Sequence, residues 1–184
     1  MIILLARTKE GLLSATVVRK KSMVGKQPAV FMFNIYTGSL DMTAAKHNAN
    51  LGYVGIVAYT RGKNLSPQEI EPFEHGADDV YDIIDWISKK SWSNGTVGMY
   101  GCSYLGFSQW AAAKKVHPAL KTIVPQIAVG IGIDYPMQNN IFMSYMLQWI
   151  HFVTNNKETD NEDFGKTKKW EKPNPNYYKS GRAF

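Results

Sequence analysis

Ser103 lies in the run Thr96-Val97-Gly98-Met99-Tyr100-Gly101-Cys102-Ser103-Tyr104-Leu105-Gly106-Phe107-Ser108-Gln109-Trp110. Val97, Met99 and Tyr100 read as a short buried strand, and a helix follows the serine. Gly101 and Gly106 remove side chains where the backbone turns and where helix meets strand. A serine hydroxyl is a weak nucleophile at its ordinary pKa, so one that does chemistry must be presented to an outside base. A strand-glycine-serine-helix elbow presents it in that way. The usual spacing is G-x-S-x-G, whereas here the fifth position is Leu105 and the glycine comes one place later. The run therefore also reads as a tight strand-to-helix connection with a capping serine. The thiol of Cys102 is a neighbouring nucleophile, but adjacent elbow residues point in different directions and the apex belongs to Ser103. Cys102 is expected to pack in the core.

An elbow needs a sheet to carry it. Ile2 to Ala6 and Leu12 to Val18 are alternating apolar runs around Lys9-Glu10-Gly11, which reads as a β-hairpin. Val30 to Ile35 and Tyr53 to Tyr59 are continuous apolar runs, as in strands buried on both faces. Between them Tyr36-Thr37-Gly38 forms a loop at a strand's carboxyl end, Ser39 or Asp41 can cap a helix, and Gly52 ends it. Thr60-Arg61-Gly62-Lys63-Asn64 is a second loop at a carboxyl end, where open α/β sheets place their ligands.

From Glu74 to Lys90, Val80, Ile83, Ile84 and Ile87 repeat at helical spacing, with Asp79, Asp82 and Asp85 on another arc that reads as a solvated face. Phe107, Trp110 and Ala111 mark one face of the helix after the elbow, and Leu120 to Val129 reads as another strand, interrupted by Pro125. Alternating strands and helices in this order predict a doubly wound α/β layer. Beyond Gly130 no further strand is legible. Ile141 to Val153 is apolar on nearly every side and reads as a helix without visible cover, and residues 155–184 are polar and lysine-rich.

Composition narrows the function classes. The chain has 184 residues, 45% of them hydrophobic, which suffices for one globular domain with a sizeable core. Its single cysteine excludes an internal disulfide framework, and there is no H-E-x-x-H or paired C-x-x-C spacing, so neither a metal nor another cofactor is expected. The formal charge of +6 resides mostly in residues 165–184, where Lys166, Lys168, Lys169, Lys172, Lys179 and Arg182 face only Glu171. No basic stripe with interleaved aromatics remains on the body, and no nucleic-acid partner is expected. The apolar start is only six residues long before Arg7, too short for a signal core or a membrane span. No membrane association is expected and the compartment is left open, cytoplasmic if the start is native.

Three segments together resemble the X-Pro dipeptidyl-peptidase-like (S15) serine hydrolases, a group that includes cocaine-esterase-type acyl esterases and α-amino-acid ester hydrolases. They are Glu74-His75-x-x-Asp78-x-x-x-Asp82-x-x-x-Trp86-Ile87, the run from Trp92 to Gly106, and His117-Pro118-Ala119-Leu120-Lys121. The resemblance extends from about Leu5 to at least Val129. It implies an α/β-hydrolase fold, mostly parallel with helices on both faces. Residues 1–130 would form the amino-terminal part of the catalytic domain, truncated after about strand six, and residues 131–184 the incomplete start of a helical cap.

The resemblance also makes Ser103 the nucleophile, the backbone N–H of Tyr104 one oxyanion donor, and the hydroxyl of Tyr36 the second. The family's P-Y is Ile35-Tyr36 here, and its D-x-R-G is Tyr59-Thr60-Arg61-Gly62, which keeps the arginine and loses the acid. The implied activity is hydrolysis of an ester, amide or short peptide substrate through an acyl-enzyme. Triad order is Ser, acid, His. Asp134 and His151 fit that order, yet His151 lies beside an apolar helical run. His47, His75 and His117 read as surface or capping residues. The acid and histidine are therefore expected outside this chain, which alone would be inactive. The competing reading is a non-catalytic α/β module for binding or assembly, and a sheet ending at an unpaired edge leaves room for self-association.

Overall fold

The computed structural model describes residues 2–8, 11–143, 145–159, 164–166, 169 and 179. The hairpin β1 (Ile2–Thr8) and β2 (Gly11–Val18) leads to β3 (Gln27–Asn34), α1 (Ser39–Asn50) and β4 (Val54–Tyr59). Helix α2 (Gly76–Ser88), β5 (Ser93–Ser103), α3 (Tyr104–Lys114) and β6 (Leu120–Ala128) follow. One sheet takes the order β1-β2-β4-β3-β5-β6. Strands β4, β3, β5 and β6 run parallel to their neighbours, whereas β2 joins β4 antiparallel and β1 extends the sheet as its hairpin partner.

Strand β4 shows why the apolar runs are continuous. All six of its residues are buried, because successive side chains enter opposite layers. Val54, Ile56 and Ala58 join the core beneath α2, with Val80, Ile83, Ile84 and Ile87. Val57 and Tyr59 enter the layer beneath α1, against Ala45 and Ala49. Each buried aliphatic side chain contributes about 1.5–3 kcal/mol relative to exposure. Ile84→Ala is expected to cost about 2–5 kcal/mol, read as a fall in the urea midpoint at unchanged slope.

Five expectations need correction here, the last of them the cover of the apolar run after Gly130. Asp79 belongs to no solvated face: it is buried and ion-paired with Arg61, whose Nη2 lies 2.9 Å from Oδ1. Trp110 is 55% exposed, because Leu105, Ser108, Gln109 and Ala112 form the inward face of α3. Cys102 is exposed. It shares its side of β5 with Gly98 and Tyr100, both only half-buried, whereas Val97, Met99 and Gly101 take the covered side. A short strand pair does follow Gly130, β7 (Met137–Gln138) with β8 (Ile141–Phe142), closed by Asn139 and Asn140 at φ 51° and 63°, the left-handed pair a tight hairpin turn requires.

The run Ile141 to Val153 ends in α4 (Met146–Thr154), and this helix is covered: Met146, Trp149 and Val153 are buried with Ile35, Tyr104 and Tyr135. At the start of α1, Asp41 accepts the Gly38 N–H at 3.1 Å and so closes the first turn from inside it. The side chain of Ser39 and most of the basic segment 165–184 lie outside the described residues.

Candidate active site

Ser103 ends β5 with φ 57° and ψ −121°. A non-glycine residue in that half of the map is strained by about 1–3 kcal/mol and persists only when its surroundings over-determine it. The surroundings here are specific. At Gly101, φ is +137° and a Cβ would lie 2.6 Å from that of Leu105; at Gly106 one would lie 2.8 Å from that of Ala128. Helix α3 thus packs directly on β6, and the chain turns without room for side chains at either position.

Gln109 locks the turn from within. It is fully buried, its Nε2 donates to the carbonyls of Gly101 at 3.1 Å and Leu105 at 2.9 Å, and its Oε1 accepts the Val124 N–H at 2.7 Å. One amide therefore satisfies the elbow, the helix and the adjoining strand. Sequence reading gave Gln109 no such role. Opposite the elbow, β6 carries an extra residue between the partners of Cys102 and Ser103. That residue is Ile127, at φ 43°.

The carboxyl end of β3 brings Tyr36 to the elbow, with its hydroxyl 3.3 Å from Ser103 Oγ. Three groups hold it. Its N–H donates to Asn34 Oδ1 at 2.9 Å, and Asn34 in turn donates to Asp41 at 2.8 Å. Its hydroxyl oxygen accepts the indole N–H of Trp149 at 3.1 Å. With one lone pair engaged by the indole, the hydroxyl proton is free to turn toward Ser103. Tyr104 opens α3, so its N–H has no carbonyl one turn back to which it could donate. Its side chain is buried, and its hydroxyl accepts the Phe73 N–H at 3.3 Å. Burial pushes the Tyr104 phenol well above its usual pKa and keeps it neutral.

Around these groups lies a narrow cleft lined by Tyr36, Phe73, Ser103, Tyr104, Val129, Tyr135, Tyr145 and Trp149. Its wall is a connected aromatic cluster: Phe73 stacks on Trp149 at 5.4 Å and meets Tyr104 at 5.0 Å, and Tyr135 stands edge-on to Trp149 at 5.7 Å. Among the described residues that line it there is no histidine, aspartate or glutamate. Asp134 is exposed and accepts the Gly130 N–H at 2.7 Å within a turn. His151 lies in the last turn of α4 and does not line the cleft. His117 is buried rather than on the surface, and its Nδ1 accepts the Ala119 N–H at 3.0 Å as a local cap.

Two basic residues of the loop after β4 tie the surroundings down. Arg61 grips Asp79 through Nε and Nη2 at 2.9–3.3 Å. Burial holds the Asp79 carboxyl above its ordinary pKa while Arg61 pulls it down. Arg61→Met should cost about 3–5 kcal/mol at neutral pH by leaving a buried carboxylate alone. Without Arg61 the folded-state pKa of Asp79 rises further above its unfolded value, and a raised acid gains stability as pH falls through it. Urea melts of the variant should therefore show the deficit shrinking on acidification. Lys63, fully buried, donates to the carbonyls of Val153 at 2.9 Å and Asn156 at 2.7 Å. Burial lowers its pKa to about 8, against the opposing charge of Glu158.

Comparison with known proteins places this geometry. Residues 11–180 match the family model of X-Pro dipeptidyl-peptidase (S15 family). The chain is similar to cocaine esterase of Rhodococcus sp. (strain MB1 Bresler), 35% identical over 96 residues that make up 52% of this chain and 17% of that protein. It is also similar to the Xaa-Pro dipeptidyl-peptidase of Lactobacillus delbrueckii subsp. lactis, 31% identical over 78 residues, 34% of this chain and 10% of the relative. Among solved structures, an α-amino acid ester hydrolase superposes with a TM-score of 0.73 at 22% identity, over 97% of this chain and 36% of that one. That likeness gives the α/β-hydrolase fold. The chain spans well under half the length of each of these relatives. Among the described residues no helix is long and apolar enough to cross a membrane. With a match that runs through nearly the whole sequence, the chain belongs to the X-Pro dipeptidyl-peptidase (S15) family of hydrolases.

Proposed function

We propose that this chain carries the nucleophile and both oxyanion donors of a serine hydrolase that cleaves ester or amide bonds, acyl or X-Pro dipeptidyl, through an acyl-enzyme. The observation that carries the reading is the Tyr36 hydroxyl 3.3 Å from the oxygen of a serine held at positive φ. Ser103 Oγ attacks the substrate carbonyl carbon and gives its proton to a general base. The carbonyl oxygen, now negative, is held by the Tyr104 N–H and the Tyr36 O–H. Collapse expels the alcohol or amine, which takes the proton, and water then releases the acid by the same steps in reverse roles.

Because the described residues of the cleft wall include no histidine or carboxylate, the base and its orienting acid are assigned to residues outside those described. Residues 1–130 are read as part of the catalytic domain and residues 131 onward as cap, since α4 covers the cleft with Trp149. The aromatic wall suits a substrate with an apolar group next to its carbonyl. A fluorophosphonate probe followed by peptide mass tests the assignment. Failure of Ser103 to react in the protein at its natural length would favour the non-catalytic binding module.

A further inference from the structure

Residues 153–159 bind back onto the loops after β3, the strand beside the elbow, and after β4, the next strand in the sheet. From the loop after β4, Lys63 Nζ holds the carbonyls of Val153 and Asn156, and the Asn64 N–H donates to the Lys157 carbonyl at 3.0 Å. From the loop after β3, Thr37 and Thr159 exchange hydrogen bonds: the Thr37 N–H donates to Thr159 Oγ1 at 2.6 Å and the Thr159 N–H to Thr37 Oγ1 at 2.7 Å. Thr37 is the residue after Tyr36, and Val153 lies one turn after Trp149 on α4. Both ends of the Trp149–Tyr36 hydrogen bond are thus fixed by one short segment.

A helix ends with carbonyls that have no intrahelical donor, and the buried ammonium, with three donors, satisfies one of them at Val153 together with the Asn156 carbonyl just beyond the helix. Ordinary core filling would place an apolar side chain at Lys63, because a buried ammonium carries a desolvation cost that only such partners offset. Resting on the hydrolase reading above, we infer that residues 153–159 are a latch that sets the Tyr36 hydroxyl over Ser103, with Lys63 and Thr159 as its positioning residues. Lys63 acts on α4 and so on the Trp149 donor. Thr159 acts on the backbone that carries the Tyr36 acceptor.

The test uses Lys63→Met, which keeps the length of the side chain and removes its donors, and Thr159→Val, each alone and combined with Tyr36→Phe in the protein at its natural length. The first readout is the indole N–H resonance of Trp149, assigned by its disappearance in Trp149→Phe. Both latch variants should move it in the direction that Tyr36→Phe does. The second is turnover of an activated ester, where each should lower kcat about tenfold with KM within about threefold, the size expected of a misplacement below 1 Å. In the Tyr36→Phe background that loss should disappear, because the latch has no hydroxyl left to position. An unmoved indole resonance, or an equal kcat loss with and without the Tyr36 hydroxyl, overturns the latch. If Lys63→Met does not fold, Thr159→Val decides by the same readouts. If the parent shows no Ser103-dependent turnover, the hydrolase reading fails and the indole resonance alone judges the latch.

Discussion

Ser103→Ala should abolish labelling by a fluorophosphonate and lower ester turnover by about 10⁴-fold or more in the protein at its natural length. The size of the effect follows from chemistry, since without Oγ no acyl-enzyme forms and only binding and oxyanion stabilisation remain. Alanine keeps the Cβ and the backbone, so the elbow, pinned by Gly101, Gly106 and Gln109, should stay in place. Unchanged circular dichroism beside lost labelling would separate the nucleophile from the scaffold. Cys102 provides the control: it is exposed next to Ser103, so Cys102→Ala should retain labelling at position 103. Labelling that survives Ser103→Ala, located by peptide mass on another residue, would remove Ser103 from the mechanism.

Tyr36→Phe should lower kcat by about 10² or more while KM stays within about threefold. An oxyanion donor acts where charge develops in the transition state, and loss of one removes about 2.7–4 kcal/mol of stabilisation. The ring would keep its edge-on contact with Tyr104, at 6.4 Å between centroids, so substrate binding should change little. Steady-state kinetics on an activated ester checks this. A kcat within threefold of the parent would make Tyr36 a wall of the cleft and nothing more, and an equal rise in KM would make it a ground-state binding group.

Periodicity made the scaffold legible. The hairpin, the buried strands and the amphipathic α2 all announce themselves through spacings of two and 3.6 residues, because burial on one or both faces imposes those repeats. Ser103 and Tyr36 were legible as a turn and a strand-end aromatic, the latter only through the family pattern. The groups that hold them were not. Asp79 follows the carboxylate pattern of Asp82 and Asp85, and only the fold reveals that Arg61, on a loop well before it in the chain, reaches it. Lys63 reads as one polar loop residue among several, since nothing local tells that Val153 and Asn156 will close over its ammonium. Trp149 was hidden in an apolar run whose cover comes from Phe73, Tyr104 and Tyr135. Long-range partners leave no repeat in the sequence, and polar residues that satisfy buried backbone, such as Gln109, look like surface residues until the backbone is in place.

The φ of 57° at Ser103 sets stability and selection against each other at one atom. Glycine adopts that conformation without a Cβ penalty, so Ser103→Gly should yield a protein more resistant to urea than Ser103→Ala, by about 1 kcal/mol or more. A drift of random substitutions filtered only for folding would tolerate glycine there and discard the hydroxyl. Phe73 at 73° and Ile127 at 43° are held in the same disfavoured region, one lining the cleft and one beside the elbow. A sequence optimised for thermal endurance alone would lose side chains first around this cleft.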